Sequence, residues 1–209
     1  VTGLLFSFEG LDGSGKSTQL HRVQAWLEAR GHQVRSYREP GGSAISEAIR
    51  ALLLDPTHTA MAGETELLLY TAARVQLLKE RVLPDLQAGR VVLLDRFADS
   101  TTAYQGHGRR LSLDLVEALN AQVRALAWPL RTWWLDLPVE LSMSRCAGED
   151  RLERSGRDFF DRVAAGYAAL AAQDPQRLCR IAALGSPDEV FQRIEDDLTR
   201  LFAGRKDSR

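Results

Sequence analysis

Gly10-Leu11-Asp12-Gly13-Ser14-Gly15-Lys16-Ser17-Thr18 carries G-x-x-x-x-G-K-[ST] at every fixed position, and its flanks decide how it is read. Leu4-Leu5-Phe6-Ser7-Phe8 before it has the apolar character of a buried strand. After it, Leu20, Val23 and Leu27 recur at helical spacing until Gly31, so a helix is expected to open at Lys16. A strand, a glycine-rich turn and a helix N-terminus in that order make a phosphate-binding loop. Glycine permits positive φ, which turns several N–H groups inward to meet the positive end of the helix dipole. The whole stretch, Gly10 to Thr18, is therefore expected to cradle the phosphates of a nucleoside triphosphate. Lys16 would neutralise β- and γ-phosphate oxygens, and the Ser17 hydroxyl would ligate Mg²⁺.

Composition narrows the class. A chain of 209 residues, 44% hydrophobic, can bury a sizeable core and is expected to form one domain spanning 1–209. A net charge of −1 offers no basic field for nucleic acid or a membrane surface, so neither is an expected partner. Cys146 and Cys179 are too few for a disulfide scaffold and too far apart for a zinc knuckle, and read as reduced structural thiols. His21, His32, His58 and His107 have no metal-ligand spacing. No apolar run approaches a membrane span, and strand-like sequence from Gly3 leaves no room for a signal peptide. A cytoplasmic protein is the expectation.

Short apolar runs alternate with helical patterns, as in βαβ units around a parallel sheet. Strands are expected at Leu4 to Phe8, Gln33 to Tyr37, Val91 to Leu94, Thr132 to Leu137 and Leu178 to Ala182. Helices are expected at Lys16 to Arg30, Ser43 to Leu54, Glu64 to Gln87, Leu113 to Leu126, Arg157 to Gln173 and Pro187 to Phe202. The fold class is α/β: a three-layer P-loop fold, its five-stranded parallel sheet covered by helices on both faces. Ligands in such sheets bind beyond the carboxyl ends of the strands. Arg38-Glu39-Pro40-Gly41-Gly42 follows the second strand, and Asp95-Arg96 follows the third. An aspartate ending an apolar strand in a P-loop protein is placed to hold Mg²⁺, and the adjoining arginine can contact a phosphoryl oxygen. Ser100-Thr101-Thr102-Ala103-Tyr104-Gln105-Gly106 has hydroxyl, aromatic and amide groups suited to a base and sugar; a polar helix start capped by Asp99 or Ser100 is the structural alternative.

Together with Tyr70-Thr71-Ala72-Ala73-Arg74 and Asp158-Phe159-Phe160, these segments resemble thymidylate kinases of the bacterial type, in order and spacing, over nearly the whole chain. The resemblance implies ATP-dependent phosphorylation of dTMP to dTDP, with Mg²⁺, in a homodimer. It implies a dTMP site made of Asp12, Glu39, Arg50, Tyr70, Arg74, Arg96, Thr101, Tyr104 and Gln105. Tyr70 stands where relatives usually have a phenylalanine stacked on thymine, and Arg74, one helical turn on, would donate to a thymine carbonyl. Thr101 and Gln105 match base-facing positions, and Tyr104 the residue that closes over the sugar. Asp12 would accept from the sugar 3′-hydroxyl. Arg50 and Arg96 match acceptor-phosphate contacts, with Glu39 at the edge of that site.

Phosphoryl transfer needs positive charge between the two phosphates, and Lys16 is the only base inside the loop. The arginine-rich stretch at about 145–157 has the composition of a mobile lid, and Asp150-Arg151-Leu152-Glu153 resembles the family's lid signature. The catalytic set is therefore expected to be Lys16, Arg96 and Arg151, with Ser17 and Asp95 at the metal. The lid is about two residues shorter than in common relatives, which leaves Arg145 and Arg154 without assigned roles. Two alternatives stay open: a P-loop kinase for dUMP, dCMP or a coenzyme precursor, and a non-catalytic P-loop module. A guanine-binding switch would need Asn-Lys-x-Asp, whereas the only asparagine, Asn120, precedes Ala121 and Gln122.

Overall fold

The computed structural model describes residues 3–145 and 151–206. Its strands are β1 (Leu4–Glu9), β2 (Val34–Arg38), β3 (Val91–Asp95), β4 (Arg131–Asp136) and β5 (Leu178–Ala182). They form one parallel sheet in the order β2-β3-β1-β4-β5. The helices are α1 (Lys16–Glu28), α2 (Ala44–Leu54), α3 (Gly63–Leu77), α4 (Leu83–Gln87), α5 (Ala98–Thr101), α6 (Leu113–Leu126), α7 (Val139–Arg145), α8 (Arg157–Gln173) and α9 (Pro187–Lys206). The α/β class and the five-stranded parallel sheet are as read from the sequence, and the strand bounds differ by a residue or so.

Both faces of the sheet are dry, which is why its strands read as continuous apolar runs. Phe6, Phe8, Val91, Leu93, Trp133 and Leu135 face α1 and α9, meeting Val23, Leu27, Ile194 and Leu198. The alternate residues turn the other way, as the two-residue period of a strand demands. Leu5, Val92 and Leu94 pack with Leu77, Leu78, Val82 and Val123, while Trp134 and Leu178 pack with Phe159, Val163 and Tyr167 of α8. Ser7 and Thr132, buried on neighbouring strands, satisfy each other at 2.7 Å.

Three features were not expected. The long helix from Glu64 to Gln87 widens into a π-helical turn, Leu78–Val82, just before Pro84, which has no N–H to continue an α ladder. The polar stretch after Asp95-Arg96 is α5 running into a second π-helical segment, Thr102–Gly108. It starts without a side-chain cap from Asp99 or Ser100. A short helix, α7, follows Pro138 where no element was expected. Glycines let α8 lie close to the π segment: a Cβ on Gly166 would come within 2.9 Å of the His107 ring, and one on Gly108 within 2.6 Å of Phe159. Cys146 and the core of the expected lid, 146–150, lie outside the described residues.

Candidate active site

The turn from β1 to α1 is built by three left-handed glycines, Gly10, Gly13 and Gly15, with φ of 135°, 73° and 92°. A Cβ on Gly10 would stand 2.5 Å from the Leu135 carbonyl oxygen, so β4 excludes any larger residue. At Gly15, the N-cap of α1, a Cβ would meet nothing within 4 Å, leaving open space over the helix N-terminus. Ser14 Oγ is buried there without a hydrogen-bond partner among the described residues. Lys16, 7% exposed, donates from Nζ to the carbonyls of Leu11 at 2.9 Å and Gly10 at 3.2 Å. Burial pulls its ammonium down from the usual lysine range; Arg96 adds to that, and Asp12, 3.7 Å away, opposes it. Leu11 itself turns its side chain into the core.

At the end of β3, Asp95 accepts from Ser17 Oγ at 2.8 Å. A hydroxyl and a carboxylate joined this way offer hard oxygen donors at the mouth of the cradle, a donor set suited to Mg²⁺. No cluster of three or more His, Cys, Asp or Glu residues occurs among the described residues, so any ion here would draw its remaining ligands from phosphate and water.

Arg96 is the joint of the site. Its φ of 71° is left-handed, and its backbone N–H donates to Phe8 O at 2.9 Å. That posture carries its guanidinium back over the loop, where Nη1 reaches Gly10 O at 3.0 Å and Ser100 Oγ at 3.2 Å. Nη2 meets Asp12 Oδ1 at 2.7 Å and the Tyr104 hydroxyl at 3.2 Å. Burial would raise the Asp12 carboxyl, but Arg96 and then Lys16 hold it well below the usual carboxylate range.

Behind Arg96 lies Glu9, the last residue of β1 and wholly buried. Its Oε1 accepts from the backbone N–H groups of Phe97 at 2.7 Å and Ser100 at 3.2 Å, and its Oε2 from Ser100 Oγ at 2.5 Å and Tyr167 OH at 2.8 Å. Glu9 thus caps the turn that carries Arg96. Burial pushes its carboxyl up to about 7, with the nearby Asp99 adding and the Ser100 hydrogen bond opposing.

The second cleft encloses about 550 Å³ of space and is lined by Asp12, Glu39, Arg50, Tyr70, Arg74, Arg96, Thr101, Tyr104 and Gln105, with Pro40, Leu54, Ser100 and Leu152. Arg74, 2% exposed, donates to Glu39 Oε2 at 2.5 Å, Thr101 Oγ1 at 2.8 Å and Phe97 O at 3.0 Å. Three of its five N–H groups are thereby engaged. Burial raises the Glu39 carboxyl and Arg74 counteracts it. The phosphate cleft, lined by Gly13, Gly15, Lys16, Ser17, Thr18, Arg38 and Asp95, shares Asp12, Glu39, Arg50 and Arg96 with this one.

Arg151 lies elsewhere. Its Nη2 pairs with Glu66 at 2.5 Å and its Nε donates to Leu53 O at 3.1 Å, and it lines neither cleft. The expectation that it supplies charge to the transferred group therefore does not match its position, because a buried carboxylate already engages it. Arg145, at the end of α7, stands instead beside the loop and donates from Nη1 to Gly13 O at 2.8 Å. Glu9 and Glu66 escaped the sequence reading. Glu66 could have been found, since Glu66, Tyr70 and Arg74 recur every four residues on one face of α3.

Fold and clefts together define a P-loop phosphotransferase. The thymidylate kinase family model matches residues 8–194. The thymidylate kinase of Chlorobaculum parvum is 41% identical over 210 residues, covering 95% of this chain and 96% of that protein. That of Desulforudis audaxviator is 48% identical over 178 residues, 84% of this chain and 80% of its own. A crystal structure of thymidylate kinase from Ehrlichia chaffeensis superposes with a TM-score of 0.78 at 30% identity, covering 95% of this chain and 99% of that one. The chain belongs to the thymidylate kinase family.

Glu9 yields a test of the site's electrostatics. Between its unfolded value of 4.5 and its native value of about 7, the native protein keeps a proton that the unfolded chain has lost, so stability falls as pH rises through that window. Glu9→Gln keeps the hydrogen bonds without the titration. Relative to that variant, the wild type should lose on the order of 3 kcal/mol across the window. Chemical denaturation at a series of pH values reads this, and a constant difference would exclude it.

Proposed function

We propose that the chain transfers the γ-phosphoryl group of ATP to dTMP, giving ADP and dTDP. The observation that carries this reading is the shared wall: Asp12, Glu39, Arg50 and Arg96 line both clefts. A triphosphate in the cradle and a monophosphate whose base lies toward Tyr70 and Arg74 would meet there. An acceptor phosphate oxygen then forms a bond to the γ-phosphorus as the β–γ bridging bond breaks and its electrons leave with ADP. Little is asked of the protein beyond alignment and charge. Lys16 serves the donor phosphates and Arg96 the acceptor phosphate, with Arg50 beside it.

Asp12 is fixed as an anion by Arg96, which suits it to accept from a sugar hydroxyl at the cradle's edge. Arg74 retains two N–H groups for a base carbonyl, Tyr70 supplies the ring, and Thr101, Tyr104 and Gln105 complete the base and sugar contacts. Ser17 and Asp95 would hold Mg²⁺, which when bound adds positive charge at the phosphate oxygens. For the further cation we choose Arg145, on the strength of its bond to Gly13, and assign Arg151 to anchoring.

An enzyme that consumes ATP belongs in the cytoplasm, and we infer that compartment; no described helix is long and apolar enough to cross a membrane. We also infer a homodimer. Ile45 and Leu52 of α2, Leu68 of α3 and Leu113 and Leu115 of α6 are large apolar side chains left exposed on neighbouring helices. A second copy would cover them.

Three measurements test these readings. In an ADP-release assay with ATP, Mg²⁺ and a panel of monophosphates, dTMP should be the best acceptor, dUMP weaker by the modest worth of one methyl, and dCMP poor. Faster turnover of dCMP or a purine monophosphate would sink the acceptor assignment. Arg145→Ala should lower kcat by ten-fold or more, in line with loss of charge stabilisation in the transition state. Arg151→Ala should chiefly raise KM for dTMP, and the reverse pattern would return Arg151 to the phosphoryl group. In sedimentation velocity the wild type should run as a dimer and Leu68→Glu as a monomer; a monomeric wild type would refute the interface.

A further inference from the structure

Glu66 is 1% exposed and gathers partners from three elements. Its Oε1 accepts from Gln105 Nε2 at 2.7 Å in the π segment and from Arg109 Nε at 3.3 Å, and its Oε2 from Arg109 Nη2 at 3.1 Å. Oε2 also pairs with Arg151 Nη2 at 2.5 Å. Burial would raise the carboxyl, but the Gln105 hydrogen bond and the two arginines hold it below its ordinary value, so it stays an anion. An anionic carboxylate only accepts, so the Gln105 amide must turn its NH₂ end toward it. The carbonyl is what Gln105 has left to offer the acceptor cleft that it lines. Arg151 is held at the same node and bonds through its Nε to Leu53 O at 3.1 Å, which seats the next residue, Leu152, in the wall of that cleft.

We propose that Glu66 is a positioning residue that sets base specificity by fixing the orientation of the Gln105 amide and, through Arg151, holds the Leu152 wall in place. The inference rests on the dTMP reading above. Thymine presents a ring N–H between two carbonyls, which a glutamine carbonyl can accept. Cytosine presents a bare ring nitrogen and an amino group, so the same carbonyl faces a lone pair. A neutral amide in place of Glu66 could donate as well as accept, freeing Gln105 to turn its NH₂ toward the cleft.

Glu66→Gln should therefore lower the ratio of kcat/KM for dTMP over dCMP at least ten-fold from the wild-type ratio, whereas Arg151→Gln should leave it within two-fold and raise KM for dTMP. Trypsin should cut after Arg154 faster in both variants than in the wild type, because both release the segment from α3. If the wild type itself does not prefer dTMP to dCMP, the substrate reading fails. If it does, and Glu66→Gln keeps the wild-type ratio or the wild-type cleavage rate, the inference about Glu66 is overturned. Should Glu66→Gln not fold, Gln105→Leu replaces it in the ratio and Arg151→Gln in the cleavage, and an unchanged value in either is likewise fatal.

Discussion

One guanidinium ties the two halves of this site together. Arg96 reaches the cradle through Gly10 and Asp12 and the acceptor cleft through Ser100 and Tyr104, so neither half can shift without the other. The reach depends on a left-handed residue immediately after β3, a posture that costs a non-glycine residue roughly 1–2 kcal/mol. Its own N–H on Phe8 and the Glu9 carboxylate beneath Phe97 and Ser100 offset that cost. Such strain clusters at functional sites, held there by a surrounding structure that over-determines it. Here the restraint comes from β1, the central strand, whose C-terminal end supplies Phe8, Glu9 and then the loop.

The buried ion pairs around the acceptor cleft are better understood as geometry than as glue. Arg74 and Glu39 are each buried and 2.5 Å apart, and the desolvation of two charges consumes much of what their attraction returns. What the pair secures is direction: a planar fork held on three sides by Glu39, Thr101 and Phe97 presents its remaining hydrogens along fixed lines. A base that must be told from its close relatives needs donors that do not rotate.

The loop, the five strands and most helices were legible because each rests on a local pattern: glycine spacing at Gly10 to Gly15, two-residue alternation through Val91 to Leu94, and four-residue recurrence in α3. The residues that line the clefts also came through, since each follows a strand end or shares a helix face with another. What was not legible depends on packing between distant segments. The π-helical stretches have no compositional signal, and α7 is a short helix behind Pro138. Glu9 ends an apolar strand just as Asp95 does, yet one is a buried cap and the other faces Ser17, a difference made only by what packs above them. Arg151 had the composition of a mobile lid, and only the structure reveals that a carboxylate 85 positions earlier holds it.

The π-helical segment Thr102–Gly108 has a consequence for how this protein can change over evolutionary time. A π turn accommodates one residue more than an α turn, so it behaves as an insertion that the helix has absorbed rather than expelled. Losing a single residue there would return the ladder to α register and swing everything downstream by about 100° around the axis. Tyr104 and Gln105 would leave the cleft, and Gly108 would no longer meet Phe159 across the gap that α8 needs. Substitutions can still drift in this stretch. Its length cannot, and a lineage that keeps the reaction must also keep the count of residues between Arg96 and Gly108.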